Sequence, residues 1–149
     1  MPDSSTGSLL PSDPDGLAAL ITQGRRDYLR GQKLLTAARN SEKRRLRRGH
    51  GPSPEISAQR ENLEQQLDAI AASVRYAEAM LAARAVAAGG DPLTPPQAEQ
   101  LLLAIGASEA SLALFRAEPE ETTAMLNRLF MSLEGDFETK LGLIMEHMR

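Results

Sequence analysis

A chain of 149 residues with 42% hydrophobic but only 3% aromatic side chains, and no Trp, must build its core from Leu, Ala, Ile and Met. Val occurs only at Val74 and Val86 and nothing alternates with period two, which excludes a sheet and predicts an all-α fold. The absence of Cys excludes disulfides and thiolate metal sites, and His50 and His147 alone are too few for a His-rich one. The net charge of −3 hides an asymmetry: residues 25–50 hold ten of the seventeen Lys and Arg against Asp27 and Glu42, while residues 51–149 are acidic.

Residues 1–13 are rich in Ser, Asp, Pro and Gly and predict a disordered tail. The acidic, polar start is unlike a basic secretory signal, and no apolar run approaches the roughly 20 residues of a membrane span. A soluble, cytoplasmic protein without membrane contact is expected. A helix follows, with Ser12 or Asp13 as cap and Pro14 in the first turn. Leu17, Ile21, Tyr28, Leu35 and Ala38 form a stripe that Gly24 and Gly31 complete, continuing to Glu42 and Leu46. Gly49-His50-Gly51-Pro52-Ser53-Pro54 cannot continue a helix and predicts a turn. A second seam then runs through Ile56, Arg60, Leu63, Leu67, Ile70, Val74, Ala77, Leu81 and Ala85 and stops at Gly89-Gly90-Asp91-Pro92.

Two long helices joined by so short a turn fold back antiparallel, so residues 14–90 are expected to form a coiled-coil-like hairpin. Pairing positions whose numbers sum to about 102 sets Leu46 against Ile56, Leu35 against Leu67 and Glu42 against Arg60, and turns Gly24 and Gly31 toward Glu78 and Ala71. Leu20, Leu29, Leu34 and Met80 lie beside the seam.

Residues 91–149 read as a small helical subdomain. Thr94 caps a short helix with Ala98, Leu101, Leu102 and Ile105 on its apolar side, and Ser108 caps another with Leu112, Leu114 and Phe115. Pro119 opens a longer one, expected to run straight through Gly135. Its stripe of Leu126, Phe130, Leu133, Phe137, Leu141 and Ile144 is apolar enough to predict an oligomer or partner surface, and with it a homo-oligomer.

No catalytic constellation, cofactor motif or metal site is expected, which predicts a protein that is not an enzyme. Gly89-Gly90 ends a helix rather than cradling a phosphate, and no nucleophile elbow or HExxH is present. Glu134, Asp136 and Glu138 flank Gly135 without the spaced ligands of a calcium loop and read as a solvated acidic face. His50, between two Gly, reads as an exposed turn residue.

The basic arm is the candidate site. At 100° per residue, Arg25, Arg26, Arg30, Lys33, Lys43, Arg44, Arg47 and Arg48 share an arc of about 140° opposite the apolar stripe. It spans about 35 Å, close to one turn of duplex DNA. Interhelical pairs such as Arg39 with Glu64, Lys33 with Asp68 and Arg47 with Glu55 would make part of it an ordinary coiled-coil flank. They leave Arg26, Arg30, Lys43, Arg44, Arg45 and Arg48 without a local carboxylate. The expected binding residues are therefore Arg26, Arg30, Lys43, Arg44, Arg45, Arg47 and Arg48, and the partner is nucleic acid, contacted through its backbone, or an acidic protein. With no aromatic side chain interleaved, base stacking is not expected. The expected function is a non-enzymatic nucleic-acid-binding and assembly protein, DNA-binding included. The alternative is a helical adaptor or assembly chaperone, of secretion or virion type, for an amphipathic or acidic protein partner.

Overall fold

The computed structural model describes residues 13–149, so the tail expected over residues 1–13 lies outside the described residues except for Asp13. Asp13 does the capping: its Oδ2 accepts from the Gly16 amide at 2.9 Å. Among the described residues there are six helices and no strand: α1 (Pro14–Arg47), α2 (Pro54–Ala87), α3 (Pro95–Ala104), α4 (Glu109–Ala117), α5 (Pro119–Ser132) and α6 (Phe137–Met148). The fold is all-α, and α1 and α2 pack as the expected hairpin.

Helix α1 ends in a Schellman motif. Gly49, at φ 78°, takes the left-handed conformation that its missing Cβ permits. Its amide donates to the Leu46 carbonyl and the His50 amide to the Arg45 carbonyl. Helices α2 and α3 end by the same pair of bonds, Gly89 to Val86 with Gly90 to Ala85, and Gly106 to Leu103 with Ala107 to Leu102.

The register departs from a single sum. Near the turn Arg60 Nε donates to Glu42 Oε1 at 2.8 Å and Arg39 donates to Glu64 at 3.0 Å, sums of 102 and 103. At the glycines it drops to 98: a Cβ on Gly24 would stand 2.5 Å from Val74 Cγ2, and one on Gly31 2.7 Å from Leu67 Cδ2. Gly24 and Gly31 thus meet Val74 and Leu67, not Glu78 and Ala71. Side chains lean toward the N-terminus of their own helix, so in an antiparallel pair two long ones meet at a higher sum than their backbone levels. Where one partner is Gly, half of that lean vanishes.

Leu46 is 62% exposed rather than on the seam with Ile56. After Glu42 the next inward step is three residues, to the half-buried Arg45, as the alternation of four- and three-residue steps along the seam requires.

The chain divides into two compact units. One is Ala19–Val74, the greater part of the hairpin. In the other the start of α1 joins Arg75–Arg149, so the division falls inside the two long helices rather than at Gly90. This second unit holds most of the core: Leu17, Leu101, Leu102, Leu126 and Phe130 are fully enclosed, and Met80, which the pattern left beside the seam, is buried as well.

The expected long terminal helix is two. Gly135 sits at φ 107° between α5 and α6, a conformation no helix contains. Asp136 caps α6, accepting from the Thr139 amide at 2.9 Å, and those hydrogen bonds hold its carboxyl below the usual range. The buried Lys140 donates through Nζ to the Phe130 carbonyl at 2.9 Å, placing a cation on the negative end of α5.

The break lets both halves of the stripe fold inward. Phe130 and Phe137 stack with centroids 5.9 Å apart, and the Arg84 guanidinium lies 4.5 Å from the centre of the Phe137 ring while pairing with Glu138. Leu126, Phe130, Phe137 and Ile144 are buried and Leu133 and Leu141 half-buried. Four of the six residues expected to form a partner surface are thus buried within the chain itself.

Candidate nucleic-acid interface

The hairpin unit first removes cations from consideration. Arg39 and Arg60 both donate to Glu64, Arg60 also donates to Glu42, and the Ser57 hydroxyl donates to Glu42 at 3.3 Å. This ladder crosses from one helix to the other, and the charge of Glu42 is the main cause that holds the Arg60 guanidinium even more firmly protonated. Arg39 is therefore a structural residue of the hairpin.

Arg45 is another. It is half-buried and donates from its guanidinium to the Gly51 carbonyl at 3.1 Å, while its own carbonyl accepts from His50. Its Nε is enclosed and finds no acceptor. Arg45 ties the turn to the last turn of α1 and leaves the set of residues open to a partner.

Arg30 has a carboxylate after all, Asp27 at 3.8 Å. The i, i+3 spacing on one helix carried that signal in the sequence. The contact is long and solvent-exposed, so it offsets little of the charge.

What remains is concentrated at the turn. Arg26, Lys33, Lys43, Arg47 and Arg48 are exposed and have neither ion pair nor side-chain hydrogen bond among the described residues. The expected pairs of Lys33 with Asp68 and Arg47 with Glu55 do not form. Arg44 reaches only the Ser41 hydroxyl, at 3.5 Å. The structure therefore brings Lys43, Arg44, Arg47 and Arg48 together on one exposed helical end, with Arg26 and Arg30 further along the same helix. In their midst stands Leu46, a residue that seam counting had assigned to the interior.

The acidic residues around Gly135 have structural tasks. Asp136 is a helix cap and Glu138 pairs with Arg84, so neither offers a free carboxylate to an ion. Among the described residues no helix is long and apolar enough to cross a membrane.

Compared with models of known protein families the chain matches none, and it has no significant match among curated proteins or solved structures.

Proposed function

We propose that this is a non-enzymatic nucleic-acid-binding protein of the cytoplasm that contacts the phosphate backbone with the basic end of its hairpin. One observation carries the reading: Lys43, Arg44, Arg47 and Arg48 crowd the last turns of α1, exposed and without a carboxylate among the described residues. Cations at a helix C-terminus favourably meet the negative end of the dipole, but only the last turn feels it and water screens it. Mutual repulsion among four of them brings the fold nothing further, whereas a polyanion would relieve it. Three of the four are Arg, suited to bidentate contact with phosphate.

The test is duplex DNA binding by fluorescence anisotropy across a salt series. Counterion release predicts a slope of log affinity on log salt of roughly −0.9 for each phosphate contacted. Replacing Arg44, Arg47 and Arg48 by Glu should abolish binding and leave helicity unchanged. Arg45 is kept, because its loss would disturb the turn itself. An affinity for neither duplex nor single strand at low salt would end this reading.

Exposed Leu29, Leu34 and Leu46 favour a second reading, a helical adaptor or chaperone whose hairpin receives an amphipathic client helix. Binding of that kind would persist or tighten as salt rises, the opposite of the response expected above.

A further inference from the structure

Between Ala19 and Val74 the hairpin buries only Leu35, Ala38 and Leu67 among its apolar side chains. Two helices have no third layer with which to cover the rest. Along one side the uncovered surface forms a continuous furrow. One part is lined by Gly31, Leu34, Leu63 and Ile70, and the adjoining part by Leu20, Gly24, Ala69 and Ile70. Leu34 is 53% exposed there, and Leu20, Leu63 and Ile70 are half-buried.

The charge on this side selects the occupant. Its flanks are Gln23, Gln66 and Ser73, all uncharged. Among the described residues lining it the only ions are Asp27 and Arg30, of opposite sign and 3.8 Å apart, with Asp27 also accepting from Gln23 at 2.9 Å. Lys43 and Arg47 point elsewhere, about 140° or more around α1 from Leu34. A polyanion finds no net charge here, and a strongly basic or acidic helix finds no complement. A second copy of the same face finds apolar surface, no net repulsion, and an Asp and an Arg able to exchange partners.

We infer that two copies of this chain pack through this face, hairpin on hairpin, in an isologous four-helix arrangement. The side chains of Leu20, Leu34, Leu63 and Ile70 then become its interior. The exposed Ala69 leaves room for the second hairpin to approach. Lys43 and Arg47 stay outside while Arg30 lies within the face, and the mass measured below does not depend on whether the tip binds nucleic acid.

The experiment is light scattering on the full chain from low micromolar to several hundred micromolar, with circular dichroism alongside. The wild type should reach twice the 16.1 kDa chain mass. Leu34→Glu should return to the single-chain mass with unchanged helicity, since Leu34 is largely exposed within one chain. Leu29→Glu alters an equally exposed residue on the other side of α1 and should keep the doubled mass. A single-chain mass throughout the range or a doubled mass surviving Leu34→Glu would each overturn the proposal.

Discussion

Gly24 and Gly31 occupy equivalent places on α1, yet the same substitution should act differently at each. Gly→Ala within a helix gains roughly 0.5–1 kcal/mol from backbone entropy. At Gly24 the new methyl would stand 2.5 Å from Val74 Cγ2, and a β-branched side chain on a helix has one strongly preferred rotamer. Overpacking of that kind costs about 1–3 kcal/mol, so Gly24→Ala should destabilise by roughly 1 kcal/mol. At Gly31 the obstacle is Leu67 Cδ2, the far end of a side chain that can rotate aside. Gly31→Ala should be neutral within about 0.5 kcal/mol. Urea unfolding of the two variants side by side measures the difference.

Helix α6 owes its separate existence to two neighbouring residues, Gly135 and Asp136. The sequence pattern continues its apolar period across both, which is why one long helix was expected. The local signal was nonetheless present: Gly135 can adopt φ 107°, and Asp136 lies three residues before Thr139, the spacing of a side-chain cap. Periodicity reports which residues face inward, and two helices turning the same side to one core preserve it. The Asp136 cap gives α6 a defined acid sensitivity. Its carboxyl titrates below the usual value of 3.8 in the folded state, chiefly through hydrogen bonding with Thr139. The stabilisation is therefore complete above the unfolded pKa and is lost as pH falls through the lower folded one. Glu118, raised by its shared hydrogen bond with Glu121, has the opposite sign and relieves repulsion as pH drops. Asp136→Asn keeps a capping oxygen but cannot titrate. Thermal melts below pH 4 should show a shallower loss of stability for Asp136→Asn than for the wild type, with the two curves parallel near neutrality.

At the scale of the whole molecule the core is unevenly distributed, and stability should be uneven with it. Unit Ala19–Val74 holds three buried apolar side chains, whereas the other unit encloses Leu17, Leu101, Leu102, Leu126, Phe130 and Ile144. In the Leu34→Glu variant, which keeps the chain single, amides of α1 and α2 between Ala19 and Val74 should exchange with solvent faster than those of α3 and α5, as hydrogen exchange read by mass spectrometry would show. Protection in the hairpin equal to that in α5 would contradict this. Phe130→Ala removes a fully enclosed ring that stacks on Phe137 and should cost about 3–5 kcal/mol in chemical denaturation, while Leu29→Ala, 61% exposed, should stay within about 0.5 kcal/mol.

Fold class, hairpin and turn were legible in the residues themselves, because they rest on local terms. Helix periodicity, capping residues and the run from Gly49 to Pro54 act within a few positions of the chain. The contact of Glu42 with Arg60 was legible too, since a charge on an apolar seam demands a partner. The basic residues of the candidate interface were visible as a group, but their individual roles were not. Whether Arg39 and Arg45 hold the hairpin or face solvent depends on the register that sets Glu64 beside Arg39 and on the path of the turn that brings the Gly51 carbonyl to Arg45. The fate of the stripe from Leu126 to Ile144 was likewise undecided by sequence, for apolar side chains on a helix require burial without naming what buries them. Only the tertiary structure supplied the cover, by breaking the helix at Gly135 and folding both halves onto one core, because the hydrophobic effect rewards removal from water and is indifferent to which surface removes it.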